Sequence, residues 1–256
     1  MSDHFFVIPY LAIEYFNVGG LKFYSWGFFI ALAFLVGLVL SVKAGRKVGI
    51  SPEKIVTLIV LVYFGAIIGA RIFFVLQWPG EFLKDPAGIL RVTQGGMMFY
   101  GGLFGGILVG WLYIRKWENK WQLVGFLSPV VVLSMAIGRV GCFLNSDHLG
   151  GLTNVFWAIR MSDGTLRHPV ALYLILFDLA LAGFLWWRQG RTKSATGNIL
   201  MFLVVYSAGR FLLDFTRDAS ADPHFWGLAT SQWLSGALLT STLLYYIIPK
   251  LKKAEF

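Results

Sequence analysis

Residues 55–76 read IVTLIVLVYFGAIIGARIFFVL, twenty-two residues that carry one charged side chain, Arg71. At 1.5 Å rise per residue such a run crosses the ~30 Å hydrocarbon core of a bilayer as a helix. An arginine inside it costs at least ~2.5–3.5 kcal/mol on insertion scales, so a residue of this kind is usually functional. Two more arginines, Arg139 and Arg210, lie in equivalent apolar runs elsewhere. Three guanidiniums in three separate segments point to a site built for an anion.

The rest of the chain agrees with a membrane solvent. Of its 256 residues 57% are hydrophobic and 14% charged, against roughly 25% charged in a soluble domain. Aromatic residues make up 17%, with ten tryptophans, which suits interfacial belts. The formal charge of +9 does not point to nucleic acid, because the basic residues sit in short clusters between apolar runs. Cys142, alone of its kind, excludes an internal disulfide and a cysteine metal cage. The opening MSDHFFVIPY has neither a basic n-region nor a small-residue cleavage site, and is read as mature protein.

With about twenty apolar residues per crossing, seven spans are expected: Tyr24–Val42, Ile55–Leu76, Met97–Ile114, Trp121–Asn145, Pro169–Trp187, Asn198–Phe215 and Ser231–Pro249. The whole chain is expected to form a single polytopic membrane domain, all-α, with a small extracytoplasmic hairpin. One side of the membrane receives Lys43, Arg46, Lys47, Lys54, Arg115, Lys116, Lys120, Arg188, Arg191, Lys193, Lys250, Lys252 and Lys253. The other receives Lys22, Lys84, Arg91, Arg160, Arg167 and Arg217. The asymmetry puts the N-terminus outside and the C-terminus in the cytoplasm. On that reading Arg71, Arg139 and Arg210 all lie roughly 7–9 Å below the outer boundary. Each alone could merely snorkel to the headgroups. Three at one depth suit a phosphodiester, whose oxygens the planar fork binds in pairs.

Polar and glycine-rich segments surround these arginines. Gln94-Gly95-Gly96-Met97-Met98-Phe99-Tyr100-Gly101-Gly102 opens the third span. Here Gly101 and Gly102 are expected to let a headgroup approach, while Gly105, Gly106 and Gly110 serve helix packing. The fourth span ends in Gly138-Arg139-Val140-Gly141-Cys142-Phe143-Leu144-Asn145-Ser146-Asp147-His148-Leu149-Gly150. A cation, an amide, a carboxylate and an imidazole thus fall close together. Val155–Met161 and Thr165–His168 read as a hairpin turning at Asp163-Gly164, and Pro169 starts the fifth span. In the sixth span Arg210 and Asp214 are four apart and share a face. Arg217 follows one turn later.

These segments resemble, in order and over essentially the whole chain, the bacterial prolipoprotein diacylglyceryl transferases. The match runs through Tyr24, Gly69-Ala70-Arg71, Gly95-Gly96-Met97 to Gly101-Gly102, Gly138-Arg139-Val140-Gly141-x-Phe143-Leu144-Asn145, Arg167-His168-Pro169, Gly209-Arg210-Phe211 and Ser231-Gln232. The resemblance implies transfer of a diacylglyceryl group from phosphatidylglycerol to the lipobox cysteine of prolipoprotein signal peptides, in the bacterial inner membrane. It implies neither metal nor organic cofactor, and partners that are lipid and peptide, not nucleic acid. Arg139 and Arg210 match the family's essential arginines, Tyr24 a tyrosine of the lipid site, and Asn145 an asparagine of the signature. Asp147 and Asp214 stand where the family has glutamate. Tyr100, Asp147 and His148 are the candidates for handling the thiol proton. Arg71, Gly101, Gly102, Gly150, Arg167, His168, Asp214 and Arg217 complete the expected substrate site.

The departures are local. Tyr100 replaces the usual histidine of His-Gly-Gly, Cys142 an asparagine, and Leu174 a glutamate. Tyrosine ionises near pH 10, so Tyr100 is a hydrogen-bond donor at neutral pH and a poor base. Cys142 reads better as a small apolar residue than as a nucleophile. The rival reading is a phospholipid-binding paralogue, either non-catalytic or of altered specificity. An anion transporter fits less well, because the inner halves of the second, fourth and sixth spans carry no polar path.

Overall fold

The computed structural model describes residues 7–9, 12–91, 98–146, 150–192, 194–218 and 224–254. Its helices are α1 (Ser25–Lys47), α2 (Pro52–Gln77), α3 (Pro79–Lys84), α4 (Phe99–Ile114), α5 (Lys120–Leu144), α6 (Val170–Gln189), α7 (Ala195–Leu213) and α8 (Thr230–Ala254). Five of these, α1, α2, α5, α6 and α7 with its continuation to Thr216, are long and apolar enough to cross a membrane. The protein is a helical membrane protein. The two other expected spans differ in kind. The third is the sixteen-residue α4, apolar but roughly one turn short of a perpendicular crossing. The seventh, α8, is twenty-five residues long but opens on Thr230, Ser231, Gln232 and Ser235.

Helix ends follow local chemistry. Gly49, with φ +75°, turns the chain after α1, and its N–H donates to Arg46. Pro52 begins α2, where its missing N–H costs nothing. The Ser194 hydroxyl accepts from the Gly197 N–H at 3.0 Å and caps α7.

The chain forms two compact units, residues 40–123 and residues 1–39 with 124–256. In the first, α2 lies against α4 backbone to backbone. A Cβ on Gly69 would sit 2.3 Å from the Gly101 carbonyl oxygen, and one on Gly101 would sit 2.4 Å from that of Gly69. With a lipid-like solvent supplying little hydrophobic drive, this close approach is what holds such helices together. Gly101 and Gly102 face α2, as Gly105, Gly106 and Gly110 do.

In the second unit Val132 of α5 and Leu181, Ala182 and Leu185 of α6 form a buried core, joined by Met201, Phe202, Val205 and Tyr206 of α7. Short strands gather where these helices end. β4 (Ile159–Arg160) pairs antiparallel with β5 (Leu166–Arg167) and parallel with β1 (Ile8–Pro9). Their turn is the expected Asp-Gly hairpin, with Gly164 at φ +82°. Thr165 donates from its N–H and hydroxyl to the Asp163 carboxylate, holding that acid below its usual range. A second hairpin, β2 (Tyr15–Val18) with β3 (Leu21–Tyr24), turns at Gly19 and Gly20, both at positive φ. Tyr24 thus ends a strand, and α1 begins only at Ser25. A third hairpin, β6 (His224–Phe225) with β7 (Leu228–Ala229), leads into α8.

Candidate active site

α5, α6 and α7 converge on a cluster of charge. Arg139 lies five residues before the end of α5, and its Nε donates to Asp178 Oδ2 of α6 at 2.9 Å. The Asp178 carboxylate is wholly buried, while 15% of the Arg139 side chain is exposed. Arg210 lies three residues before the end of α7, with Nη2 3.1 Å from Asp214 Oδ1. The chain tightens at Asp214 into a 3₁₀ turn ending at Thr216, which carries Arg217 Nη1 to 3.9 Å from the same oxygen. Asp214 is also wholly buried. Tyr206, one turn before Arg210, lies within electrostatic reach of Arg139 and Arg210. Arg210 stands within electrostatic reach of Arg139, Asp214 and Arg217, and Asp178 within reach of Arg139 and Arg210.

Some of this cluster's hydrogen-bonding capacity is unused among the described residues. Arg210 Nη1, Asp178 Oδ1 and Asp214 Oδ2 are buried and have no hydrogen-bond partner among the described residues. An orphaned buried donor costs about 1–3 kcal/mol, more when charged. A guanidinium N–H held in this condition is matched by an anion that brings its own acceptors. Arg139 and Arg210 keep 15% and 16% of their side chains exposed, so neither guanidinium is sealed off.

A layer of irregular backbone closes the helix ends. The Gly151 N–H donates to the Thr216 carbonyl at 3.0 Å, and the His168 N–H to the Gly151 carbonyl at 3.0 Å. Arg167 Nη1 donates to the Gly150 carbonyl at 2.9 Å and also pairs with Asp218. Gly150 bridges Arg217 and has no room for a side chain, since a Cβ there would sit 2.0 Å from the His168 carbonyl oxygen. His168 Nδ1 lies 3.2 Å from the Tyr173 hydroxyl, and burial pushes its imidazole below the ordinary histidine value. Gln232 of α8 accepts from the Ala229 N–H and donates to the Phe211 carbonyl, tying α8 to α7 beside Arg210.

The structure therefore brings together Arg139, Arg210, Asp214, Arg217, Gly150, Arg167 and His168. Asn145 follows in the turn after α5. Asp147 and His148 lie outside the described residues. Tyr24 is 63% exposed at the end of its hairpin, edge-on to Tyr15, and the Lys22 ammonium sits 3.5 Å above the Tyr15 ring.

Arg71, Tyr100, Gly101 and Gly102 belong to the other unit. Arg71 Nε donates to the Ile89 carbonyl at 2.9 Å and Nη2 to that of Gly88, with the Phe74 and Phe82 rings 5.5 and 5.3 Å away. This arginine secures the loop after α3. Tyr100 is half-buried in the first turn of α4.

Sequence reasoning missed Asp178 and Tyr206. The signal for Asp178 was available, because a lone carboxylate inside an apolar run is as conspicuous as an arginine. Tyr206 stands four residues before Arg210, the spacing that shares a helical face.

The family profile described as prolipoprotein diacylglyceryl transferase matches residues 14–248. A Clostridium perfringens protein named phosphatidylglycerol–prolipoprotein diacylglyceryl transferase 2 is 31% identical, over 92% of this chain and 94% of its own. Proteins named phosphatidylglycerol–prolipoprotein diacylglyceryl transferase are similar too. That of Bordetella bronchiseptica is 33% identical over 86% of this chain and 88% of its own. That of Pasteurella multocida is 30% identical over 96% and 93%. The chain belongs to the prolipoprotein diacylglyceryl transferase family.

Proposed function

We propose that this protein transfers a diacylglyceryl group from phosphatidylglycerol to the lipobox cysteine of prolipoproteins. The observation that carries the reading is the Arg139–Arg210 cradle, with its buried Arg210 N–H left for an outside acceptor. In the reaction the cysteine sulfur attacks the glycerol carbon that bears the phosphate. A C–S bond forms, the C–O bond breaks, and its electron pair leaves on the phosphate oxygen as glycerol phosphate. The thiol proton goes to a base. Negative charge thus moves from sulfur to phosphate, and fixed guanidiniums aimed at the phosphate stabilise it where it arrives. A thiol drawn towards them is also easier to ionise.

Arg139 and Arg210 grip the departing phosphate in this reading, with Arg217, Arg167 and Asn145 around the headgroup. Asp214 orients two of the arginines. Gly150 and His168 maintain the layer that closes the site, and Tyr24 lines the lipid entry. Arg71, Gly101 and Gly102 are kept as substrate-binding residues. Tyr100, Asp147 and His148 handle the proton. Complementation of a transferase-depleted bacterium, followed by mass analysis of a reporter lipoprotein, tests the proposal. A diacylglyceryl adduct on the cysteine is expected. No adduct, with phosphatidylglycerol still bound, would favour the non-catalytic lipid-binding reading, which Tyr100 in place of histidine supports.

The protein is further proposed to sit in the bacterial inner membrane as a single polytopic domain of seven spans, with α4 and α8 completing the five long ones. The clustering of lysine and arginine in alternate loops supports an outside N-terminus and a cytoplasmic C-terminus. Alkaline phosphatase fused after Phe256 is expected to be inactive. A bright periplasmic signal would reverse the orientation.

A further inference from the structure

His168 joins the layer over the helix ends through its backbone, and its ring has contacts of its own. The His168 N–H donates to the Gly151 carbonyl and the Gly151 N–H to that of Thr216, the last residue of the 3₁₀ turn before Arg217. The half-buried ring places Nδ1 3.2 Å from the Tyr173 hydroxyl in the first turn of α6. That hydroxyl also meets the indole Nε1 of Trp157, which lies just before β4.

Donor and acceptor chemistry puts these three groups in order. An indole nitrogen can only donate, so the Tyr173 oxygen accepts from Trp157. Tyr173 then has one proton to give, and His168 Nδ1 is the acceptor beside it. A proton on Nδ1 would instead press a second N–H on the phenolic oxygen and leave the hydroxyl proton without an acceptor among the described residues. With Nδ1 accepting, the ring proton belongs on Nε2. Burial also disfavours the cation, pushing the imidazole below the ordinary histidine value. The neighbouring Arg167 is turned to the Gly150 carbonyl and to Asp218.

We infer that Tyr173 is a positioning residue for His168, holding its ring as the Nε2–H tautomer so that it donates to the lipid headgroup and does not serve as the thiol base. The inference rests on the diacylglyceryl-transfer reading and assigns the part His168 plays in it. Phosphate and glycerol oxygens of the headgroup are the acceptors such a donor fits. Tyr173 acts through the imidazole and needs no contact with the reacting atoms.

The test is the sign of a titration shift. The full chain in maltoside micelles, with nitrogen-labelled histidine, is titrated by NMR as the unmodified protein and as Tyr173→Phe. The His168 signals are identified by their loss in His168→Gln. A hydroxyl that donates to Nδ1 favours the neutral ring, so its removal is expected to raise the protonation midpoint. One hydrogen bond of ordinary worth changes the protonation constant by about 2- to 10-fold. Removing a polar group also dries the site, which lowers the midpoint, so altered burial cannot produce the rise. Charges elsewhere act on both proteins alike and cancel in the difference. A lowered or unmoved midpoint overturns the inference, because a hydroxyl that accepts from Nδ1–H favours the cation.

Should Tyr173→Phe fail to fold, the unmodified protein still decides, since a neutral ring carrying its proton on Nδ1 overturns the inference. Transfer is measured in parallel. Glutamine offers an amide N–H in place of Nε2–H but cannot take a proton from a thiol. His168→Gln is therefore expected to transfer within about tenfold of the unmodified protein, and His168→Ala to lose about 10- to 100-fold. Equal losses in the two, with the melting temperature of His168→Gln unchanged, would make His168 the base and overturn the donor role. The titration needs no turnover. A raised midpoint in a protein that transfers nothing rejects the enzyme reading and leaves the hold of Tyr173 on His168 standing.

Discussion

Arg139→Ala and Arg210→Ala are each expected to abolish diacylglyceryl transfer, by about 10³-fold or more, the scale for removing a group that stabilises developing charge. The adduct on a reporter lipoprotein, counted by mass spectrometry, is the measurement. The two losses have different structural backgrounds. Arg139→Ala strands the wholly buried Asp178, and stripping one partner from a buried pair costs about 3–5 kcal/mol of stability. Asp214 retains Arg217 at 3.9 Å when Arg210 is removed, so Arg210→Ala should be the milder change for folding. Adding Asp178→Asn to Arg139→Ala should recover the fold without recovering transfer. Lysine at either position restores charge but not the planar fork, and should rescue poorly. Full activity in either alanine variant would remove the cradle from the mechanism.

Arg139 and Arg210 were conspicuous in the sequence because a charge in an apolar run is expensive wherever the helix faces. What they touch was not, because apolar run length fixes where a helix lies and says nothing of its rotation about its own axis. Asp214 was placed correctly beside Arg210 by spacing within one helix. Asp178, thirty-nine residues from Arg139, needed the packing of α5 on α6 to be known. Arg71 shows the same limit from the other side. It had the same warrant as the other two, yet the structure commits its Nε to the Ile89 carbonyl.

The β2–β3 hairpin was legible and overlooked. Tyr15 to Val18 and Leu21 to Tyr24 flank Gly19-Gly20, the pair that supplies two positive φ angles in a two-residue turn. The apolar character of Tyr24 merged with that of α1, and the span was drawn one residue into the strand. Gly101 illustrates a harder case. A glycine beside a functional motif reads equally as room for a ligand or as room for a helix, and the 2.4 Å from its hypothetical Cβ to the Gly69 oxygen shows the second use.

In the proposed transfer Tyr100 stands where the family has a histidine, and its variants should give the second large effect. The Met98 N–H donates to the Ala70 carbonyl at 3.1 Å, which fixes the start of α4 against α2 and sets Tyr100 in the first turn. At neutral pH its hydroxyl is protonated, so it can donate to a phosphate oxygen or a thiolate but cannot accept the thiol proton. Tyr100→Phe removes that donor alone. A hydrogen bond to a charged group is worth about 1.5–3 kcal/mol, so transfer should fall about 10- to 100-fold. Tyr100→His is expected to raise transfer and to make it pH-dependent. An imidazole with a pKa near 6.5 must be neutral to act as a base, so the rate should climb through about pH 6–7 and then level. The unmodified protein should lack that step if electrostatics do most of the thiol activation. A step already present there, abolished by His148→Ala, would move the base to His148. If Tyr100→Phe transfers as well as the unmodified protein and Tyr100→His gains nothing, Tyr100 only packs, and the proton must leave by another route.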